Sequence, residues 1–378
     1  MLQKQLDYLH ALPAHGNRVV GLDHIVIAHM LAFFNPSLRG LRGIEDVFDS
    51  PIVRKRMGTP SLHKSTVSDA QRLFDPQLLL PLIQSLQERV GPSLRDPRLD
   101  NITKKLLACD GTFFAVAPRI AWALFNGTRK GNVRAHFQFR VFEGVPELAT
   151  LTDGQAGEVQ QLREALCPGC FYVMDRGFNS YQLWADIVKA ESDFVVRARS
   201  DLVIRTVQER GLEAADMAAG VLEDRVVEVG WRADQTPELP PLRCVSVRFV
   251  DRHGEAQTLL LTTNRMDLPA WQIALIYQHR WQVEIFFRWL KCVAHFNHFF
   301  SESREGMTLQ IYVAIISMLL ITIQTGARPS KYDYSLIGFV LSGMITMAEF
   351  DIIAAKRRAE RARAKESDRL RRAKKLAT

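Results

Sequence analysis

The chain has 378 residues, 47% of them hydrophobic and 24% charged, which excludes a disordered polymer and leaves room for a large core with one or two further modules. The net charge of +8 is not spread evenly: from Lys356 to Lys375 eleven Lys or Arg stand against three acids, so the body is neutral and the excess sits in a C-terminal tail. Five cysteines, an odd and sparse set, exclude a disulfide framework.

The N-terminal stretch MLQKQLDYLHALPAHG lacks an apolar stretch and a small-residue cleavage site, so no export signal is read and a cytoplasmic location is expected. Residues 23 to 90 carry helical patterns, with Ser65 and Asp75 as N-caps and Pro76 at a first helical position. These predict a helical domain over 1–98, open to reading either as a DNA-binding helix-turn-helix or as a packing module. Pro92, Pro97 and the charged RDPRLDN mark a linker. Strands are then predicted at Ile102–Cys109, Ile120–Phe125 and Ala135–Phe142, a helix near Gly157–Ala165, a strand at Cys170–Met174, a helix at Ser180–Lys189 and a strand at Asp193–Ala198. Three strands and then alternating helix and strand describe an α/β fold, a mixed sheet with helices on its faces.

From about 200 to 265 the β segments VIRTV, RVVEVGW, RCVSVRFV and TLLLTT succeed one another with no clear helix between them. One long helix is predicted from about Leu268 to Val293, then apolar helices over 307–325 and 335–348. The longest apolar run, Ile311 to Ile323, is short of the roughly 20 residues a bilayer span needs, so it reads as a buried helix and no membrane association is expected. The catalytic fold is thus expected over 99–350 and the basic tail over 351–378. Such a tail suits phosphate contact, though solvated basic helices carry the same composition.

Within YQHRWQVEIFFRWLK, the residues Tyr277, Arg280, Glu284 and Lys291 fall on one polar stripe of a helix, opposite Val283, Phe286, Leu290 and Val293. Trp281, Phe287 and Trp289 flank the stripe, and a helix apolar nearly all round is normally buried, where charges survive only if paired, metal-bound or functional. The alternative is a solvated face whose ions pair at i, i+4. Asp110 comes after the apolar run KLLAC and Asp175 after FYVM, so each is expected to project from the C-terminal end of a strand. Singly such aspartates are commonly turn formers, whereas three converging carboxylates are hard ligands suited to Mg²⁺.

The spacing Y-(2)-R-(3)-E-(6)-K over Tyr277, Arg280, Glu284 and Lys291 resembles the signature of insertion-sequence transposases of the IS-four type, in the DDE superfamily. Asp175-Arg-Gly-Phe178 is similar to that family's D-x-G-[FY] element, and Asp110-Gly-Thr stands where its first aspartate is expected. The resemblance implies an RNase H-like core with the first aspartate on the first strand, the second after the fourth, and the glutamate on a later helix. The 109 residues between Asp175 and Glu284 hold the β segments, which resemble in position the β-rich insertion of that family. The resemblance further implies cut-and-paste transposition with two Mg²⁺ ions, replaceable by Mn²⁺, set roughly 3.5–4 Å apart. Asp110 would bridge both ions while Asp175 and Glu284 each complete one. Double-stranded DNA, as terminal inverted repeats and target, is the implied partner, with a homodimer in the synaptic complex and a nucleoid-associated location. Tyr277, Arg280 and Lys291 are assigned to phosphate contact, with pairing to Glu284 as the structural alternative. Arg197 and Arg199 alternate on a strand and could track a DNA backbone, and Trp231 of the insertion could stack on a displaced base or simply belong to a β core. A catalytically silent DNA-binding protein of transposase descent is the competing expectation, and a nuclease without transfer activity another.

Overall fold

The computed structural model describes residues 7, 9, 11, 19–35, 38, 40–116, 120–123, 131–230, 238–250, 255–292 and 299–376. By packing it divides into two compact units, Met1–Gly91 with Cys292–Thr378, and Pro92–Lys291.

The first unit begins with helices α1 (Leu22–Phe34), α2 (Leu41–Phe48), α3 (Pro51–Met57) and α4 (Lys64–Leu73), then a 3-10 turn Pro76–Leu79 and α5 (Leu80–Gln87). Asp75 caps the turn by accepting from the Gln77 N–H at 2.9 Å, as Pro76 at the first helical position predicts. Ser65 is not a cap: α4 starts one residue earlier, with His63 at the N-cap and no side-chain bond.

The second unit holds a nine-stranded sheet. Its strands are β1 (Lys105–Val116), β2 (Gly131–Arg140), β3 (Val145–Asp153), β4 (Cys170–Met174), β5 (Asp193–Arg197), β6 (Ile204–Glu209), β7 (Val221–Val229), β8 (Leu242–Val250) and β9 (Ala256–Thr263). Between them lie α6 (Glu158–Glu164), α7 (Tyr181–Lys189) and the short α8 (Ala214–Ala218), and α9 (Ala270–His279) and α10 (Trp281–Cys292) come after the last strand. The order is β3-β2-β1-β4-β5-β9-β8-β7-β6. Strands β1, β4 and β5 run parallel and the remaining pairings are antiparallel. The central strand CFYVM is buried along its whole length, the near-continuous apolar run of a strand covered on both faces. One face packs Leu107, Cys109, Tyr172 and Met174 against Leu162 of α6 and Leu183, Trp184 and Ile187 of α7. On the other, Phe137 of β2 meets Phe286 and Phe287 of α10, and Phe139 also meets Phe286, with ring centroids 5.1 to 5.5 Å apart.

Four sequence expectations are corrected. Ile120–Phe125 is not a strand in its described part, where Ala121–Ala123 form a 3-10 turn; the antiparallel meander is completed instead by β3, whose Pro146 and polar alternation hid it. Asp110 lies inside a twelve-residue strand rather than at its end, because β1 runs on against β2 after its parallel partner β4 has stopped. The β segments over 200–265 are interrupted by a helix, α8, and they extend the main sheet, since β9 pairs with β5. The predicted long helix is two, α9 and α10, with a tightened turn in which the Arg280 N–H donates to Tyr277 O at 3.0 Å and the Val283 N–H donates to Arg280 O at 3.1 Å.

In the first unit the chain closes with α11 (Arg304–Thr325), α12 (Lys331–Leu341) and α13 (Met347–Leu376). Helix α11 is long and apolar enough to cross a membrane, but 78% of its most apolar window is buried; it packs against α1, α4, α5 and α13. The basic segment is the exposed outer part of α13.

Candidate active site

The parallel register builds the site. Cys109 pairs with Met174 and Met174 with Val196, so Asp110, Asp175 and Arg197 each come one residue past the last pair on three adjacent strands. At strand spacing the two aspartate backbones are about 5 Å apart. Asp110 is paired across with Phe137, which places it on the sheet face that α10 covers.

Arg280 links the helices to that strand. Its Nη1 donates to Asp110 Oδ2 at 3.2 Å and its Nη2 to Glu284 Oε1 at 2.5 Å, while the guanidinium carbon lies 5.9 Å from the Tyr277 ring centroid. Thus Glu284 reaches Asp110 through a guanidinium. Lys291 is set further along, its Nζ 5.8 Å from the ring of Phe114, four residues beyond Asp110 on the same face of β1. Arg197 ends β5, and Arg199 stands beyond the strand, so the two do not alternate on it; Asn179 bridges them, donating to Arg197 O at 2.7 Å and accepting from the Arg199 N–H at 3.2 Å. Trp231 and Val293 lie outside the described residues.

Both aspartates also accept from the backbone that comes after them. Asp110 Oδ1 accepts from the Gly111 N–H at 2.8 Å, and Asp175 Oδ1 accepts from the Gly177 N–H at 2.7 Å, capping the 3-10 turn Arg176–Phe178. A fourth carboxylate, unread in the sequence, joins them: Glu158, first residue of α6, pairs with Arg134 of β2 at 2.9 Å. Its presence is encoded only as an acid at the start of a predicted helix, a commonplace pattern.

The electrostatics are those of a crowded acidic site. Burial pushes the Asp110 carboxyl up to about 7; Asp175 and Glu158 add to the rise, and Arg280 and the Gly111 N–H oppose it. Glu158 is likewise raised by burial and by Asp175, against the pull of Arg134. Burial raises the Tyr277 phenol, with Arg280 and Arg197 opposing. Burial works against the Arg280 charge, yet Tyr277, Glu284 and Asp110 together lift its pKa above the ordinary value.

Three carboxylates of this kind are hard oxygen donors that fit Mg²⁺ in chemistry, and a cation would relieve the repulsion within the cluster. Asp110 and Asp175 sit side by side at the same level of two adjacent strands. The expected closed set of three is not formed: among the described residues no group of three His, Cys, Asp or Glu side chains stands ready to hold an ion, because Arg280 lies between Asp110 and Glu284.

Residues 102–320 match the family model described as the transposase DDE domain. The chain is 30% identical over 250 residues to a protein of Sinorhizobium fredii named as the transposase y4zB, covering 64% of this chain and 68% of that one. Over 278 residues it is 27% identical to a Geobacillus stearothermophilus protein named as the transposase for insertion sequence element IS5377, covering 70% and 68%. The structure of a piggyBac transposase synaptic complex with hairpin DNA aligns over 94% of this chain and 78% of that one, with 10% identity and a TM-score of 0.41, too low to bear on the site. The mixed sheet flanked by helices, with helices preceding it, agrees with the RNase H-like fold of DDE transposases.

Proposed function

Since the chain belongs to the DDE-domain transposase family, we propose that it is the transposase of an insertion sequence of the IS-four type, cutting DNA at the element's ends and joining the freed 3′ ends to target DNA. The observation that carries this reading is the register that sets Asp110 beside Asp175, with Glu284 tied to Asp110 through Arg280.

In this reading Asp110, Asp175 and Glu284 hold two Mg²⁺ ions, or Mn²⁺ in their place. Bound there, the metal supplies a more acidic attacking water and charge stabilisation at the leaving oxygen. The chain's own groups orient the DNA. Arg280 presents a planar fork that can turn from a carboxylate to a phosphate, and Lys291 contributes a point charge farther along β1. Tyr277 stays protonated at neutral pH and can donate to a phosphate oxygen. Arg197, beside Asp175, is a further phosphate contact, Arg199 another, and Trp231 stacks on a base. Residues 1–98 serve end recognition, 99–350 catalysis, and 351–378 backbone contact. Inverted repeats and target DNA are the partners, two copies of the chain handle two ends, and the protein works at the nucleoid.

A second reading, a silent DNA-binding descendant, is favoured by one observation: Arg280 forms an ion pair with both Asp110 and Glu284. The two differ in an assay of end-bearing duplexes with Mg²⁺. The enzyme nicks and joins them, and Asp110→Ala, Asp175→Ala or Glu284→Ala each lowers cutting by more than about 10³-fold, equivalent to about 4 kcal/mol of barrier, with DNA binding retained. A wild-type chain that shifts the duplex but never cuts it supports the silent binder.

A further inference from the structure

The two glycines that come after the aspartates share a neighbour. A Cβ built on Gly111 would stand 2.4 Å from Glu158 Oε1, and one built on Gly177 would stand 3.0 Å from Asp175 Oδ1 and 3.3 Å from Glu158 Oε2. The Gly111 N–H, which donates to Asp110, also favours the charged Glu158 carboxylate. Neither glycine has a positive φ, so conformational freedom does not explain them; space does. One carboxylate, that of Glu158, borders both glycines.

That carboxylate is not a loose surface acid. Its side chain is 16% exposed and that of its partner Arg134 is 19% exposed; the pair is 2.9 Å apart, and the guanidinium carbon lies 4.6 Å from the Phe113 ring centroid. Placing a third negative group beside Asp110 and Asp175 works against stability, since like charges at short range repel. A structural ion pair for Arg134 could have been built elsewhere on the sheet without that cost.

We propose that Glu158, held by Arg134, is a positioning residue that clamps the Asp110–Gly111 segment of β1 and the Asp175–Gly177 turn together and so fixes the spacing of the two aspartate carboxylates. The proposal rests on Asp110 and Asp175 being the site of chemistry. Glu158 need touch neither DNA nor metal. It acts through the strand and the turn that carry the groups that do.

Two measurements on the full chain test it. The first is urea unfolding without metal of Gly111→Ala, Glu158→Ala and the double variant. In the wild-type background the added methyl strikes a tethered carboxylate and lowers the midpoint; in the Glu158→Ala background that carboxylate is gone, and the shift should fall to less than half. Equal shifts in both backgrounds overturn the clamp. The second is end-DNA cleavage and Mn²⁺ binding. Glu158→Ala should lower kcat and weaken the Mn²⁺ midpoint by about 10 to 100-fold, with KM for DNA little changed, and Glu158→Gln, which keeps an acceptor of the same shape, should recover much of the loss. Unchanged kcat and Mn²⁺ midpoint in Glu158→Ala overturn the positioning role. A wild type that neither cuts nor binds Mn²⁺, yet shows the urea coupling, overturns the proposed function and leaves the clamp standing.

Discussion

Arg280 and His29 show opposite uses of a buried polar side chain. Arg280 stays charged because three partners answer it. His29, fully buried in the helical unit, stays neutral: its Nδ1–H donates to Ile25 O at 2.7 Å, so Nε2 is left to accept from the Gln71 amide at 2.7 Å. Burial lowers its pKa from the ordinary 6.5 to about 4. A folded-state pKa below the unfolded one means that the unfolded chain binds the extra proton, so the contribution is fully present above pH 6.5 and is lost as pH falls toward 4. Stability should therefore drop by about 1.4 kcal/mol per pH unit from this one group across that window. Urea midpoints at pH 7 and pH 5 measure it, and His29→Gln should flatten the slope by close to one proton. Residue types at the site were largely legible in the sequence, because an acid within an apolar helix is anomalous, and two aspartates that are ordinary singly gain meaning beside it. Glu158 was not, since an acid at a helix start is ordinary and its contacts arise only when β1, β2, α6 and the Arg176–Phe178 turn meet.

Strands β6 to β9 were legible as β segments from their alternation, but their joining to the main sheet was not, since pairing partners are not written in local periodicity. What pins them is buried: Arg243, 1% exposed, forms a bidentate pair with Asp224 at 2.8 and 2.7 Å and donates to the carbonyls of Leu268 and Arg265 just before α9. The insertion is thereby fastened to the chain that leads into the Glu284 helix pair. Arg243→Ala leaves the buried Asp224 carboxylate with only the more distant Arg210, 3.4 Å away, and should destabilise the protein by about 3 kcal/mol, whereas Arg243→Met with Asp224→Leu should cost clearly less. Denaturant unfolding distinguishes the two, and equal losses would deny the pair its role. Helix α9 and its successor also differ from the single predicted helix, and nothing local foretold it, because no Pro or Gly marks the turn at Arg280.

Charge is organised across the whole molecule. The body is neutral, and the excess lies on the outer half of α13, whose described residues beyond Arg358 are exposed, while Phe350 and Ala354 near its start are fully buried. A truncation after Arg358 therefore removes eight basic and three acidic residues without opening the core. It should weaken DNA binding and flatten the dependence of log Kd on log salt; an unchanged slope would make the tail a bystander. The enzymatic account itself rests on Asp110 and Asp175 as a cation-holding pair. Titration of Mn²⁺ into the full chain, with free ion tracked by paramagnetic resonance, tests this most directly. The account predicts saturable binding that Asp110→Ala and Asp175→Ala each abolish or weaken by at least tenfold, about 1.4 kcal/mol. Binding that is absent in the wild type, or identical in all three proteins, would contradict it.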